Sequence, residues 1–302
     1  MAISRAQLAK ELEPGLNALF GLEYKQYENQ HAEIFDTENS DRAFEEEVML
    51  SGFGTAAVKQ EGSSVGYDDA QESFTARYTH ETIALAFSIT EEAVEDNLYD
   101  SIAKRYTKAL ARSMANTKQI KAANVLNNGF SSSYTGGDGV ELFSSAHVST
   151  SSSSNRNEVS TASDLSETSL EQALIDIAAV KDERGLKIAA RGVKMIIPSA
   201  LQFTAERVLK SPGRVGTADN DINALKNLGM VPQGYRVNHF VTDTDAWYII
   251  TDVPNGMKYF DRAPLKTAME GDFDTGNVRY KARERYSFGC SDPRGIYASP
   301  GA

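Results

Sequence analysis

The stretch from Glu45 to Thr90 constrains this sequence most strongly. Four glycines separate its short β-prone runs, and few of its side chains are large and apolar. Ordering such a backbone costs roughly 1–2 kcal/mol per residue, and an isolated two-stranded hairpin is only marginally stable in water. We therefore expect a two-stranded arm, with Phe74–Phe87 as its return strand. This arm would become ordered by lying on another surface, most simply on another copy of the same chain.

The overall composition is that of an ordinary globular protein with an acidic balance of charge. The chain has 302 residues, of which 41% are hydrophobic and 24% charged, and its formal net charge is -11. This charge argues against general electrostatic binding of nucleic acid, although a local basic face would still fit. Cys290 is the single cysteine, so no intrachain disulfide forms and a reducing environment is favoured. The sequence has neither a signal-peptide core nor a run of about 18 apolar residues.

A long helix is predicted directly after the arm. Thr90 is a favourable N-cap, apolar residues recur at helical spacing, and Gly129 ends the pattern. The alternative is two helices that meet near Asn116. At the N-terminus, Ser4 opens a short helix and Pro14 starts a second one. This N-terminal segment either packs on its own domain or extends to a neighbour.

The remaining elements are predicted from breaker residues and periodicity. Residues 131–166 are rich in serine and glycine, which predicts a long surface loop. A helix is expected over 167–184, with Gly185 as its stop. Strands and helices follow from Gly192 onward, and the pair Asn255-Gly256 predicts a two-residue hairpin turn.

No pattern in the sequence is typical of an enzyme, metal or cofactor site. The four histidines are far apart, and none has metal-ligand spacing, so each is expected to be a hydrogen-bonded structural or surface residue. A G-x-S-x-G match at 62–66 is followed by a turn and a strand, whereas a nucleophile elbow needs a strand before it and a helix after it. We therefore expect a non-enzymatic protein without a cofactor. An enzyme with an unrecognised site is kept as the alternative of another class.

Two runs of like charge are candidates for a contact between subunits. One is acidic and lies at the start of the arm, and the other alternates with apolar residues near the C-terminus, which predicts a half-buried strand with a basic face. They are either two solvated surfaces or the two sides of one contact, in which complementary charge would fix the register. With three further arm residues, the candidate interface consists of Glu45, Glu46, Glu47, Phe53, Val58, Lys59, Arg279, Lys281, Arg283 and Arg285.

Several short segments in a fixed order carry a family resemblance over about residues 20 to 300. They are Gly52-Phe53-Gly54 to Val58-Lys59-Gln60-Glu61-Gly62, Arg77 to Thr82, Phe87 to Glu92 with Asp96 to Tyr99, Leu142 to His147, Asp164 to Glu167, and Asp292 to Tyr297. None of them is a catalytic motif, so the similarity is one of pattern and order. On these segments the chain resembles the major capsid (major head) proteins of tailed bacteriophages, which have the HK97-type fold.

The resemblance implies an α+β fold with an extended β-hairpin loop and a long spine helix. The implied divisions are an N-terminal arm at 1–39, an extended loop at 40–88, a peripheral domain at 89–185 with its spine helix at 91–128, an axial domain at 186–265, and return strands of the peripheral domain at 266–302. Some members of the family carry a long N-terminal scaffolding segment. Because about 40 residues precede the extended loop here, we expect a separate scaffolding protein instead.

The function implied by the resemblance is structural. Such proteins self-assemble into hexamers and pentamers of an icosahedral phage head that encloses double-stranded DNA. The expected partners are other copies of the chain, a scaffolding protein, a portal, decoration proteins and the DNA, held by confinement, while no membrane partner is expected. The expected location is the virion, after assembly in the cytoplasm of the host bacterium. An encapsulin-like nanocompartment shell, which shares the fold, is the alternative.

Overall fold

Ten strands and five helices form the regular structure of the described residues. The computed structural model describes residues 5–90, 92, 99–147, 154–213, 222–272 and 276–302. The strands are β1 (Asp36–Asn39), β2 (Phe44–Leu50), β3 (Glu72–Thr79), β4 (Glu81–Ile89), β5 (Gly192–Ile197), β6 (Tyr235–Val237), β7 (Trp247–Thr251), β8 (Met257–Gly271), β9 (Val278–Cys290) and β10 (Ile296–Ser299). The helices are α1 (Arg5–Gln26), α2 (Tyr99–Asn127), α3 (Glu167–Ala179), α4 (Gln202–Lys210) and α5 (Ala224–Leu228), with short 3-10 turns at Gln30–Glu33, Ser199–Leu201 and Pro293–Gly295.

The first sheet has the strand order β1-β8-β9-β4, and α1 and α2 pack on one of its faces. β8 and β9 form a long antiparallel hairpin, while β4 joins β9 antiparallel and β1 joins β8 parallel. Along β9, Tyr280 and Ala282 are buried, whereas Arg279, Lys281 and Arg283 are exposed. This alternation confirms the half-buried basic strand that the sequence predicts.

Helix α1 is continuous and packs against α2. Leu16 and Phe20 are buried in one cluster with Met114 and Tyr280. The prediction of two helices divided at Pro14 is wrong, because α1 continues through that residue. An internal proline removes one backbone hydrogen bond, and the burial of apolar side chains in the following turns offsets that loss.

Helix α2 runs without interruption over the residues that the structure describes. The alternative of two helices is wrong, because Asn116 lies inside one helix. The predicted first turns fall mainly on residues 91 and 93–98, which lie outside the described residues. Beyond the helix, an added Cβ on Gly129 would lie 2.4 Å from the ring of Phe143, so close packing favours glycine at the predicted stop.

The second sheet has the strand order β10-β7-β5-β6, and α3, α4 and α5 pack against it. Trp247, Ile249 and Met195 are fully buried in its core together with Leu170 of α3. A separate hydrophobic cluster that includes Tyr248 and Tyr259 lies between the two sheets. The fold therefore has one core for each sheet and a third cluster where they meet.

Helix α3 is shorter than predicted. The prediction of a helix to residue 184 is wrong, because Val180 has ψ 140° and leaves the helical conformation. Gly185, with φ 85°, lies instead in a tight turn between the bridged residues Lys181 and Lys187. A positive φ suits glycine in either role, which is why the sequence signal was misread.

The pair Asn255-Gly256 connects the two sheets. Asn255 has the left-handed φ of 61° that a tight turn favours. However, β7 pairs with β5 and β10, whereas β8 pairs with β1 and β9. The predicted hairpin is therefore wrong, since the chain crosses here from the second sheet to the first. Gly256 packs so closely on Gly295 that an added Cβ would lie 2.8 Å from its Cα.

The described parts of the serine- and glycine-rich loop (131–166) are held by a buried polar network. His147 lies 2.6 Å from Asp138 through Nδ1 and 3.0 Å from Asn157 through Nε2. Asn157 also donates to the carbonyl of Pro293 at 3.0 Å. These bonds satisfy buried polar groups and attach the loop to the C-terminal segment.

We expect Gly256→Ala to destabilise the fold by about 1–3 kcal/mol, because the new Cβ would meet backbone atoms of Gly295. Gly271→Ala is the matched control, since nothing lies within 4 Å of a Cβ at that position. Urea unfolding of both variants measures the difference. Equal midpoints would show that close backbone packing at Gly256 does not stabilise the fold.

Candidate assembly surface

The predicted arm is an antiparallel hairpin of β2 and β3. Residues 44–50 pair with residues 72–79, and β4 then pairs with β9 in the first sheet. The prediction of one return strand over Phe74–Phe87 is therefore wrong, because His80 separates two strands with different partners. We use the term hairpin arm for residues 44–79.

The base of the hairpin arm is anchored to the first sheet by buried charged and hydroxyl groups. Lys258, whose side chain is 6% exposed, bonds Glu38 at 2.9 Å and also bonds Glu47 of the arm. Glu47 accepts a hydrogen bond from Ser291, which also bonds the hydroxyl group of Tyr78. Because Lys258, Ser291 and Tyr78 are largely removed from water, the loss of one of their partners would leave a buried polar group unsatisfied.

His80 fixes the point at which the hairpin arm leaves the sheet. Its Nε2 and Nδ1 atoms lie 2.9 Å from the hydroxyl oxygens of Ser40 and Ser287, respectively. Ser40 donates a hydrogen bond to Glu45 at 2.7 Å, since a carboxylate can only accept hydrogen bonds. Nε2–H therefore donates to Ser40, and Nδ1 accepts from Ser287, as in a neutral imidazole. Burial, and then the charge of Arg285, lower the pKa of His80.

The distal arm, residues 51–71, contains neither helix nor strand and has few contacts with its own chain. Among the described residues, an ion pair between Asp68 and Arg184, at 2.6 Å, connects the distal arm to the rest of the chain. Val58 and Tyr67 are 95% and 99% exposed. Since an exposed ion pair contributes about 1 kcal/mol or less, the distal arm has no core of its own to hold it in place.

The arm residues of the predicted interface fall into two groups. Glu45 and Glu47 take part in the base contacts described above, and Glu46 lies 3.7 Å from Arg77 in an exposed ion pair. The exposed residues of the distal arm in this group are Phe53, Val58 and Lys59. Thus the three acidic residues are bonded within the chain, whereas the three distal residues are exposed and uncovered.

The basic residues of β9 lie on the face of the first sheet that α1 and α2 leave open. Arg279 bonds Asp272, and Arg285 donates to a backbone carbonyl at the arm base at 3.4 Å. Lys281 and Arg283 have no ion-pair partner among the residues that the structure describes. No described ion pair joins the acidic run of the arm to these basic residues.

A buried carboxylate on the inner face of β9, Glu284, is not apparent from the runs of like charge. It is 2% exposed and accepts from Lys118 at 3.2 Å and from Tyr24 at 3.3 Å. The Lys118 ammonium group lies 5.0 Å from the ring centroids of Tyr259 and Tyr286. Burial raises the pKa of Glu284, an effect that Lys118 opposes. The sequence carries a signal for its burial. When the alternation of apolar and charged residues in β9 is continued two residues beyond Ala282, Glu284 falls on the buried face.

A cleft of about 500 Å³ lies between the end of α2, β9 and the loop that follows α2. Its Lys121 and Glu81 bond each other, and burial raises the pKa of the Cys290 thiol. Ser287 in its wall donates to His80 but is 7% exposed and lies within a paired strand. The backbone amides of such a strand are used in sheet pairing and do not converge on an oxyanion site.

The described residues contain neither a metal site nor a membrane-spanning helix. No group of histidine, cysteine and acidic residues there is arranged to hold a metal ion. Among the same residues, no helix combines the length and the apolar character needed to span a bilayer. The histidines instead bond neighbouring polar groups, as the sequence predicts, and burial lowers the pKa of His31 to about 4.

Comparison with known protein families identifies the chain. The family model described as "Phage capsid protein" matches residues 72–299. The chain belongs to the phage capsid protein family. The match starts in the second strand of the hairpin arm and includes the second sheet and all strands of the first sheet except β1. No curated protein sequence matches the chain.

Solved structures of similar fold are also assembled particles. The virus-like particle from Pyrococcus furiosus has a TM-score of 0.54 at 11% identity, covering 95% of this chain and 98% of that one. The capsid of an empty GTA particle has a TM-score of 0.53 at 14% identity, covering 90% and 89% of the two chains. The capsid of Myoviridae phage XM1 has a TM-score of 0.50 at 12% identity, covering 89% of each. These similarities confirm the predicted α+β fold of HK97 type.

Family and fold together define the class of this capsid protein. It is a structural, non-enzymatic shell component of a virion, as the sequence predicts. Its surface, rather than a catalytic cleft, is therefore the functional part of the molecule.

We expect Lys258→Met to loosen the base of the hairpin arm, because it leaves Glu47 without its buried cation at a cost of about 1–3 kcal/mol. Chymotrypsin should then cleave after Tyr78, which is 3% exposed, at least about fivefold faster. Lys59→Met, the same change on the exposed distal arm, should have no effect. Equal cleavage of the two variants would show that the buried cluster is not the anchor.

Acid should weaken the same anchor through His80. A histidine whose pKa is lowered by folding contributes stability that is present above its unfolded pKa of about 6.5 and is lost as the pH falls towards the folded value. Cleavage after Tyr78 should therefore accelerate below about pH 6.5, relative to cleavage after the exposed Tyr67 in the same chain. His80→Gln keeps a donor for Ser40 but does not titrate, so the acceleration should disappear. An unchanged pH dependence in this variant would contradict the role of His80.

Proposed function

We propose that this chain is the major capsid protein of a tailed bacteriophage and assembles into hexamers and pentamers of an icosahedral head around double-stranded DNA. The observation that carries the proposal is the distal arm. It is an extended segment without a core in a chain of the phage capsid family. A segment of this kind gains its packing from a neighbouring subunit.

The apolar side chains of the hairpin arm support such a contact. Leu50, Phe53 and Val65 are 65%, 62% and 64% exposed, in addition to Val58 and Tyr67. Full burial of one such side chain contributes about 1.5–3 kcal/mol. Several of them together would offset a large part of the cost of ordering the segment, and obligate interfaces commonly exceed about 2,000 Å².

The two cores support a division into a peripheral and an axial part. We propose an N-terminal arm (1–39), an extended loop (40–88), a peripheral domain (89–185 with 266–302) and an axial domain (186–265). Within these bounds, α3 belongs to the peripheral domain by its position in the chain, and its side chains pack into the core of the second sheet.

The net charge supports a shell that encloses DNA without adsorbing it to the protein. A subunit with a charge of -11 repels phosphate at long range, which would ease packaging and release. A separate scaffolding protein, a portal and decoration proteins complete the proposed set of partners, and assembly would take place in the cytoplasm of the host bacterium.

An encapsulin-like nanocompartment is the second candidate, favoured by the similarity to the Pyrococcus furiosus particle along 98% of that chain. The contents of purified particles separate the two candidates. Double-stranded DNA inside the particle supports the phage head, whereas a folded protein cargo without DNA supports the nanocompartment.

We expect the purified chain, alone or with a scaffolding protein, to form uniform shells tens of nanometres across in negative-stain electron microscopy. A variant in which a short Gly-Ser linker replaces residues 52–70 should unfold at the wild-type temperature, because this segment lies outside every core cluster. The same variant should form no shells. Normal shells from it would contradict the proposed role of the distal arm, and a wild-type chain that never assembles would contradict the function.

A further inference from the structure

A flat basic surface lies on the exposed face of the first sheet, at the end of β9 remote from the hairpin arm. Arg283 lies directly opposite Lys266 of β8. The residues that face Arg283 and Lys281 on β4 are Ala84 and Ala86, which leave the cations uncovered. We use the term basic face for Lys266, Lys281 and Arg283, all of which are exposed.

The charges of the basic face are uncompensated within the described part of the chain. None of its three residues has an ion-pair partner there. Like charges directly opposite each other on neighbouring strands repel and destabilise a sheet. Such an arrangement in a protein with a net charge of -11 indicates a surface that is complemented by an anionic partner.

The base of the hairpin arm lies on the same side of the sheet as the basic face. Tyr78 of the arm packs on Gly289 of β9, where an added Cβ would lie 2.6 Å from its ring. Gly289 shares the odd-numbered face of the strand with Lys281 and Arg283, because side chains alternate. The base of the chain's own arm therefore covers one end of this side of the sheet. The other end, which carries the basic face, is left uncovered.

The distal arm is the acidic segment that fits this surface. Between residues 51 and 72 the chain has four acidic residues and one lysine. Asp68 is bonded to Arg184, whereas Glu61, Asp69 and Glu72 are exposed and have no described ion-pair partner. The acidic run at the arm base is a poorer candidate, since it is already bonded within its own chain.

We infer that the distal arm of a neighbouring copy, together with the adjoining Glu72 of β3, lies on the basic face, with Glu61, Asp69 and Glu72 towards the three cations. This inference rests on the proposed self-assembly and names the two surfaces that meet. Within one chain the distal arm contacts Arg184, beside the second sheet, and leaves the basic face open. The contact is thus head-to-tail, and a contact of this kind closes into rings when the rotation permits.

Charge reversal in the full-length chain tests the pairing. We expect Lys281→Glu with Arg283→Glu, and separately Glu61→Lys with Asp69→Lys, to lower the yield of shells by at least about tenfold, since opposed like charges cost several kcal/mol. The four changes combined should restore the yield to within about threefold of wild type. Arg105→Glu with Arg112→Glu is the control, because these exposed residues lie on α2, on the other side of the sheet.

Three results would overturn the inference. One is a normal yield of shells from either reversed pair, and another is the absence of rescue in the combined variant. The third is a normal yield of shells with reduced DNA content when the basic face is reversed, which would assign that face to phosphate binding instead.

A cross-linking measurement keeps the inference separate from the proposed function. Chains with Asp69→Cys are mixed with chains with Lys281→Cys, both also carrying Cys290→Ser, and treated with a short bismaleimide. We expect covalent dimers from this mixture and none when Arg112→Cys replaces Lys281→Cys. Shells without the dimer would overturn the inference alone, dimers without shells would overturn the proposed function alone, and the absence of both would overturn both.

Discussion

The hairpin arm is anchored at one end only, and the behaviour of the whole molecule as a subunit follows from this. At its base, Tyr78 and the half-buried Glu47 bond Ser291 and Lys258, which are buried at the first sheet. Beyond Leu50 the arm leaves every core cluster of the chain. The cost of ordering a residue is similar along the arm, but the contacts that offset it are concentrated at the base. In the assembly that we propose, a neighbouring subunit under each arm would supply the missing contacts.

Charge is used differently at the two ends of the arm. Glu45 and Glu47 at the base are partly buried and bonded within the chain, where they fix the direction in which the arm leaves the sheet. Those of the distal arm are exposed, and most are unpaired among the described residues. Buried pairs add specificity of position more than stability, whereas exposed charges direct association and register. One acidic protein can therefore have a fixed arm base and a distal arm that is available to a partner.

Periodic patterns along a single element predict that element well, whereas the stop signals at Pro14 and Gly185 and the pairing of distant strands mislead. The glycines of the arm, the helical spacing of α2 and the alternation of β9 are local patterns, and each predicted its element. The break at His80 was missed because β-prone residues continue across it, while the partner strands differ. Asn255-Gly256 forms a turn as predicted, yet the strands on either side belong to different sheets. Turn chemistry specifies a reversal of direction but not the partner of the strand that follows.

Two buried titratable groups make the response of the subunit to acid uneven. The pKa of Glu284 is raised mainly by burial, so the folded state binds this proton more tightly than the unfolded state, and the contribution of Glu284 to stability decreases as the pH rises. The pKa of His80 is lowered by burial, so its contribution decreases as the pH falls. Glu284 joins α1, α2 and β9, whereas His80 holds the arm base. Mild acid should therefore loosen the arm base while it leaves the layer of α1, α2 and the first sheet intact, because the two linkages have opposite signs.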